Sequence, residues 1–154
     1  MASETKDPKD AELMHMAIQE ANRSEPVETA YCVGAVLVSV TGEILSTGYS
    51  RELPGNTHAE ECCLGKLKDI GQAAGGTMYT TMEPCSHRLS GNKPCVERII
   101  AVRIARVVVG VLEPPTFVEN CVGVELLGNE GIKVEVVPNV AEECLRPNKH
   151  VLNK

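Results

Sequence analysis

Thr57-His58-Ala59-Glu60, with Pro84-Cys85 and Pro94-Cys95 further on, is the stretch from which the rest of the chain can be read. Imidazole and thiolate are the ligands zinc prefers, and three of them leave a fourth position for water. Glu60 stands two residues past His58 and serves the proton rather than the metal. Side chains in a first helical turn lean toward the helix N-terminus. His58 and Glu60 opening one helix, and Cys95 opening another, would therefore converge on a point beyond both helix ends. Each end sets partial positive charge against the thiolates. Two thiolates cancel the charge of Zn²⁺ and weaken it as a Lewis acid, so a general base is needed beside it. The chemistry this predicts is activation of a metal-bound water, with Glu60 as the proton carrier.

Working outward, Thr57 is the expected N-cap, with Glu60 completing a capping box. The helix it starts runs through Cys62, Cys63, Leu64, Leu67 and Ile70 to a stop at Gly71. The loop ahead of it, Arg51 to Asn56, carries charge, Pro and Gly, as pocket loops often do. Before that, Cys32 to Val40 is a nearly continuous apolar run, a strand buried on both faces. Thr41-Gly42 turns it into a second strand, Glu43 to Tyr49. Ser24 to Ala30 is a connector, and Leu13, Met14, Ala17, Ile18 and Ala21 give an amphipathic helix from Asp10 to about Arg23. Residues 1–9 are small, polar and charged and are expected to be a disordered tail.

Downstream, Thr77 to Met82 is a strand ending just before Glu83-Pro84-Cys85, and Pro94 opens a helix with Val96, Ile99, Ile100 and Val102 as its stripe. Arg106 to Val111 is another buried strand, and Glu113 to Cys121 a loop. Val122 to Asn129 is a short helix, Lys133 to Val137 a last strand, and Ala141 to about Leu152 a helix that Pro147 must break or bend. Helices alternating with buried strands make residues 10–154 a single α/β sandwich domain.

The 154 residues suffice for one domain with a sizeable core, and 43% hydrophobic content with no apolar run near 18 residues excludes a membrane span. No secretory leader is present, so the expected location is intracellular, in the cytoplasm. A net charge of −6 and only Phe117, Tyr31, Tyr49 and Tyr79 as aromatics argue against a nucleic-acid partner. Seven cysteines, an odd number, point to a reducing compartment with some binding metal and others filling core. Cys32, Cys62, Cys63, Cys121 and Cys144 read as core residues, and His15 as a helix-surface histidine.

One competing reading is a closed structural zinc. Cys62 lies four residues from His58 on the same helix face, and it or His87 would complete a Cys₃His or Cys₂His₂ set. Against it stands Glu60, which a closed site does not need.

His58-Ala59-Glu60, Pro84-Cys85-Ser86-His87 and Pro94-Cys95 together resemble the cytidine-deaminase-like superfamily, and more narrowly the pyrimidine deaminases of riboflavin biosynthesis. Most superfamily members have two residues between the cysteines. Here nine intervene, Ser86 to Pro94, and the bacterial riboflavin-pathway enzymes carry a similar insertion. Glu28 to Gly34 replaces the bacterial T-x-P-N-P-x-V-G, so its substrate-contacting asparagine has no counterpart. With Gly48 to Asn56, this looks like the fungal form. The resemblance implies a three-layer α/β/α sandwich around a five-stranded mixed sheet, Zn²⁺ held by His58, Cys85 and Cys95, catalysis by Glu60, and a homodimer. It also implies a phosphorylated small-molecule substrate, a ribitylamino-pyrimidinone, and a deaminase separate from the reductase it is fused to in many bacteria.

For such a substrate, the insertion offers His87, Arg88, Ser90, Asn92 and Lys93 as donors. His87 is the expected substrate-facing donor, and Lys93 and Arg88 are candidates for phosphate, against a solvated-face reading for each. Asn56 is a candidate for the ring or sugar, and the Ala59 N–H for a ring carbonyl. Two further functions fit the residues: deamination of another nucleobase, nucleoside or tRNA base, and a non-catalytic zinc-stabilised interaction module.

Overall fold

The computed structural model of the chain describes residues 2–86, 93–112 and 122–152. At its centre β2 (Gly34–Val38) lies between β3 (Ile44–Tyr49) and β4 (Thr77–Met82), antiparallel to both. β5 (Arg106–Val111) and β6 (Lys133–Val136) continue from β4 in parallel. Because side chains alternate across a strand, β2 splits its apolar run between two cores. Ala35 and Leu37 face one layer with Met78, Val107, Val109 and Val134, while Val36 and Val38 face the other with Tyr79 and Val108.

The first layer holds α2 (Ala59–Gly65), α3 (Cys95–Ala101) and α4 (Gly123–Asn129), the second α1 (Pro8–Ala21) and α5 (Ala141–Leu145). The architecture is the expected α/β/α sandwich on a mixed sheet. Pro147 sits in a 3₁₀ turn, Arg146–Asn148, between α5 and α6 (Lys149–Leu152). No helix among the described residues is long and apolar enough to cross a membrane.

The sheet has six strands among the described residues rather than five, in the order β1-β6-β5-β4-β2-β3. The added strand, β1 (Ser3–Glu4), falls in the segment expected to be a disordered tail and pairs in parallel with β6. Its order comes from a contact that local composition does not show. Thr5 is buried, its N–H donates to the Val136 carbonyl at 2.9 Å, and its hydroxyl donates to Asp10 Oδ2 at 2.6 Å. Asp10, 1% exposed, also accepts from Tyr79 Oη at 2.6 Å and from Arg106, whose Nε reaches Glu135 at 2.7 Å. Burial raises the Asp10 carboxyl, but hydrogen bonds from Arg106, Thr5 and Tyr79 outweigh it and bring it down to about 2.

α1 begins at Pro8 rather than Asp10, because Asp7 caps it by accepting from the Lys9 N–H at 2.9 Å. α2 stops at Gly65, short of Gly71. Asp69 instead accepts from the Gly71 N–H at 2.9 Å and opens a separate 3₁₀ turn, Ile70–Ala73.

Candidate active site

Three chain segments meet at the carboxyl end of β4, the edge at which open α/β sheets build their sites. Cys85 follows the strand through Glu83-Pro84. His58 is the N-cap residue of α2, with extended backbone (φ −95°, ψ 161°), and Cys95 is the first residue of α3 after Pro94 at its N-cap. His58 Nδ1 lies 3.6 Å from Cys85 Sγ and 3.4 Å from Cys95 Sγ, and the three ligand atoms all fall within 4.8 Å of one another. Tetrahedral zinc with bonds of about 2.3 Å to sulfur and about 2.0 Å to nitrogen separates S from N by about 3.5 Å. The two observed sulfur–nitrogen spacings match that geometry. Cys85 and Cys95 are buried and His58 is half-buried.

The Cys85 thiol is electrostatically prepared for a cation. The Cys95 side chain draws the Cys85 thiol well below its ordinary value, against the effect of burial, with His58 and the Cys95 N–H (3.1 Å from Cys85 Sγ) adding to it. Cys63 behaves oppositely: burial first, then Glu60, pushes its thiol up and keeps it a neutral core residue. Burial likewise pushes Cys144 up to about 12.

Glu60, in the first turn of α2, is 3% exposed, and its Oε2 lies 3.5 Å from the Thr80 hydroxyl on β4. The expected capping box is displaced by one residue. His58 rather than Thr57 is the N-cap, and the Glu61 carboxylate accepts from the His58 N–H at 3.1 Å. Thr57 uses its hydroxyl on the Leu53 carbonyl at 2.8 Å. The consequence is chemical: Glu61 takes the capping duty assigned to Glu60. α2 seats this turn against β3 at Gly48, where a Cβ would press into the Ala59 carbonyl oxygen and come within 2.9 Å of the Cys63 nitrogen.

Cys62 does not join the ligand group among the described residues; its Cβ faces Gly48 instead. Ala59 is buried as the first residue of α2, Asn56 is exposed in the preceding turn, and Lys93 is exposed just ahead of Pro94. His87, Arg88, Ser90 and Asn92 lie outside the described residues, as does Cys121. Sequence reasoning missed Glu61 and Arg98, which pair at 3.3 Å between α2 and α3. Each stands three residues past a cluster member, and that spacing is the only signal the sequence offers.

Residues 7–111 match the family model described as the cytidine and deoxycytidylate deaminase zinc-binding region. A diaminohydroxyphosphoribosylamino-pyrimidine deaminase of Schizosaccharomyces pombe is 48% identical over 90% of this chain, and the chain spans 36% of that relative. A riboflavin biosynthesis protein RibD of Aquifex aeolicus is 43% identical over 74% of the chain, which spans 30% of it. The chain thus covers about a third of the length of these curated relatives. Among solved structures, the Aspergillus oryzae Rib2 deaminase, as a C-terminal deletion mutant, superposes with a TM-score of 0.80 at 35% identity, covering 94% of this chain and 97% of that one. Its complex with DARIPP gives 0.76 at 36% identity, covering 89% of this chain and 88% of that one. The chain belongs to the cytidine and deoxycytidylate deaminase family, on the branch that holds the pyrimidine deaminases of riboflavin biosynthesis.

Proposed function

We propose that the chain is a zinc-dependent pyrimidine deaminase of riboflavin biosynthesis. It would convert a diamino-ribitylamino-pyrimidinone 5′-phosphate to the amino-ribitylamino-pyrimidinedione phosphate and ammonia. The observation that carries this reading is the convergence of His58 Nδ1, Cys85 Sγ and Cys95 Sγ within 4.8 Å, with the buried carboxylate of Glu60 in the same first turn as His58. Bound there, zinc supplies Lewis acidity that brings the pKa of water from 15.7 toward about 7.

The chain's own residues do the rest. Glu60 accepts a proton from water, delivers it to the ring nitrogen beside the amine-bearing carbon, and carries a second proton to the departing ammonia. Oxygen from water replaces the amine: the C–N bond breaks and a carbonyl remains. Burial of Glu60 at 3% exposure keeps that proton from exchanging with bulk solvent between the two transfers. The Ala59 N–H is assigned to a ring carbonyl, Asn56 to ring or sugar, and Lys93, Arg88, Ser90 and His87 to the phosphate and polyol chain.

The name of the S. pombe relative supports a phosphorylated pyrimidine as substrate, and the complex of the Aspergillus enzyme with DARIPP supports the same class. We further propose a homodimer, supported by the apolar side chains left exposed at Leu112, Val122 and Leu126. The test is ammonia release from the ribityl and ribosyl forms of the pyrimidinone phosphate, set against cytidine, guanine and tRNA. Turnover of a riboflavin precursor is expected; turnover confined to cytidine, guanine or tRNA would overturn the pathway assignment.

A further inference from the structure

The helix after the cysteine pair meets the metal-binding turn in a way the deamination chemistry does not explain. α4 has Val122 at its N-cap, and its own N-terminus provides no side-chain cap. Its acceptors come from the turn that carries Cys85. Glu83 Oε2 accepts from the Val124 N–H at 3.1 Å, and Ser86 Oγ accepts from the Val122 N–H at 3.2 Å. Glu83 is 8% exposed, so this bond is made largely out of water. Between the two donors stands Gly123, packed so closely that a Cβ would press into the Pro84 carbonyl oxygen and come within 3.3 Å of the Glu83 carboxylate. On its other side the same turn is held by α3, through Val96 N–H to the Cys85 carbonyl at 3.2 Å and Cys95 N–H to Cys85 Sγ at 3.1 Å.

Cys85 therefore sits on a turn clamped between two helix N-termini. We propose that Glu83 is a positioning residue: its hydrogen bond to α4 presets the Cys85 sulfur for the metal, and Gly123 permits the approach. The inference rests on the reading of His58, Cys85 and Cys95 as a zinc site. A carboxylate that fixes a ligand-bearing turn acts as outer partners of metal sites do, where loss of one weakens the metal by roughly 10- to 100-fold.

Two near-isosteric variants separate reach from charge. Glu83→Gln keeps the acceptor oxygen at the same reach without the charge, and Glu83→Asp keeps the charge but is one methylene too short for the Val124 N–H. Zinc affinity is measured by competition with a chromophoric chelator, with the thiolate-to-metal absorption of the cobalt form as a second readout. Urea midpoints of the metal-free proteins report stability separately. We expect Glu83→Asp to bind zinc about tenfold more weakly, with an altered cobalt spectrum, and Glu83→Gln to stay within about threefold of wild type. Equal zinc affinity in both variants and wild type, with only the urea midpoint shifted, would overturn the inference. So would a Gln variant weakened about tenfold beside an Asp variant at wild-type affinity, which would make charge rather than reach the cause. If wild type itself fails to bind zinc, or Cys85→Ser binds as tightly as wild type, the metal-site reading falls and takes the inference with it.

Discussion

Arg98 reaches from α3 to α2 and places its Nη2 3.3 Å from the Glu61 carboxylate. The same Glu61 caps the His58 N–H at 3.1 Å, so one carboxylate ties together the two helices that deliver His58 and Cys95. The pair is partly screened, with 29% and 21% of the two side chains exposed, and its coupling is worth about 1 kcal/mol. A double-mutant cycle with Arg98→Ala and Glu61→Ala, read by urea unfolding, should return a coupling of that size. Glu61→Ala should cost about 1 kcal/mol more than Arg98→Ala because it also removes the cap. Additive effects would show that the pair does not join the helices.

Asp10 makes the fold acid-sensitive in a defined window. Its folded value of about 2 lies below its ordinary 3.8, so the contribution is fully present above that ordinary value and fades as pH falls through 3.8 toward 2. The difference is worth on the order of 2 kcal/mol. Unfolding free energy of wild type should therefore fall over that interval, whereas Asp10→Asn should be less stable at neutral pH by about 3–5 kcal/mol, with a smaller acid decline. An Asn variant with the wild-type acid slope would contradict the assignment.

Gly48→Ala should separate α2 from β3. The new methyl has backbone on its far side, so the cost is about 1–3 kcal/mol in stability. Turnover should fall with it, because the moved helix carries both His58 and Glu60. Wild-type thermal stability in this variant would mean the two elements do not pack as closely as described.

Metal removal should be reversible and visible without any assay of turnover. Zinc added to the metal-free protein at about 100 times its dissociation constant should stabilise it by about 2.7 kcal/mol. The melting temperature of wild type should rise accordingly, while that of Cys85→Ser should not. A Cys85→Ser protein stabilised to the same extent would place the ion elsewhere.

The clustering of His58, Cys85 and Cys95 is legible because few residue types bind zinc and because His58 and Cys95 each open a helix, a position that hydrophobic periodicity marks. β2 was legible for a similar reason: its unbroken apolar run fits a strand covered on both sides. The capping register was not, since Glu60 and Glu61 are adjacent and either completes a box. The choice falls to Glu61, the residue that Arg98 meets from another helix. β1 has only two residues and no period to detect; its order depends on Asp10, Arg106 and β6, contacts that reach along the sequence from Ser3 to Glu135. The brace between Glu83 and Val124 is equally non-local, and nothing in Glu83-Pro84-Cys85 announces which helix it will cap.

The most direct measurement compares ammonia release by wild type and Glu60→Gln at matched zinc content, determined by atomic absorption. One zinc per chain in both proteins, with turnover reduced by about 10²-fold or more in the variant, is the predicted result. A fully zinc-loaded Glu60→Gln protein that deaminates the pyrimidine at the wild-type rate would show that the proton travels by another route.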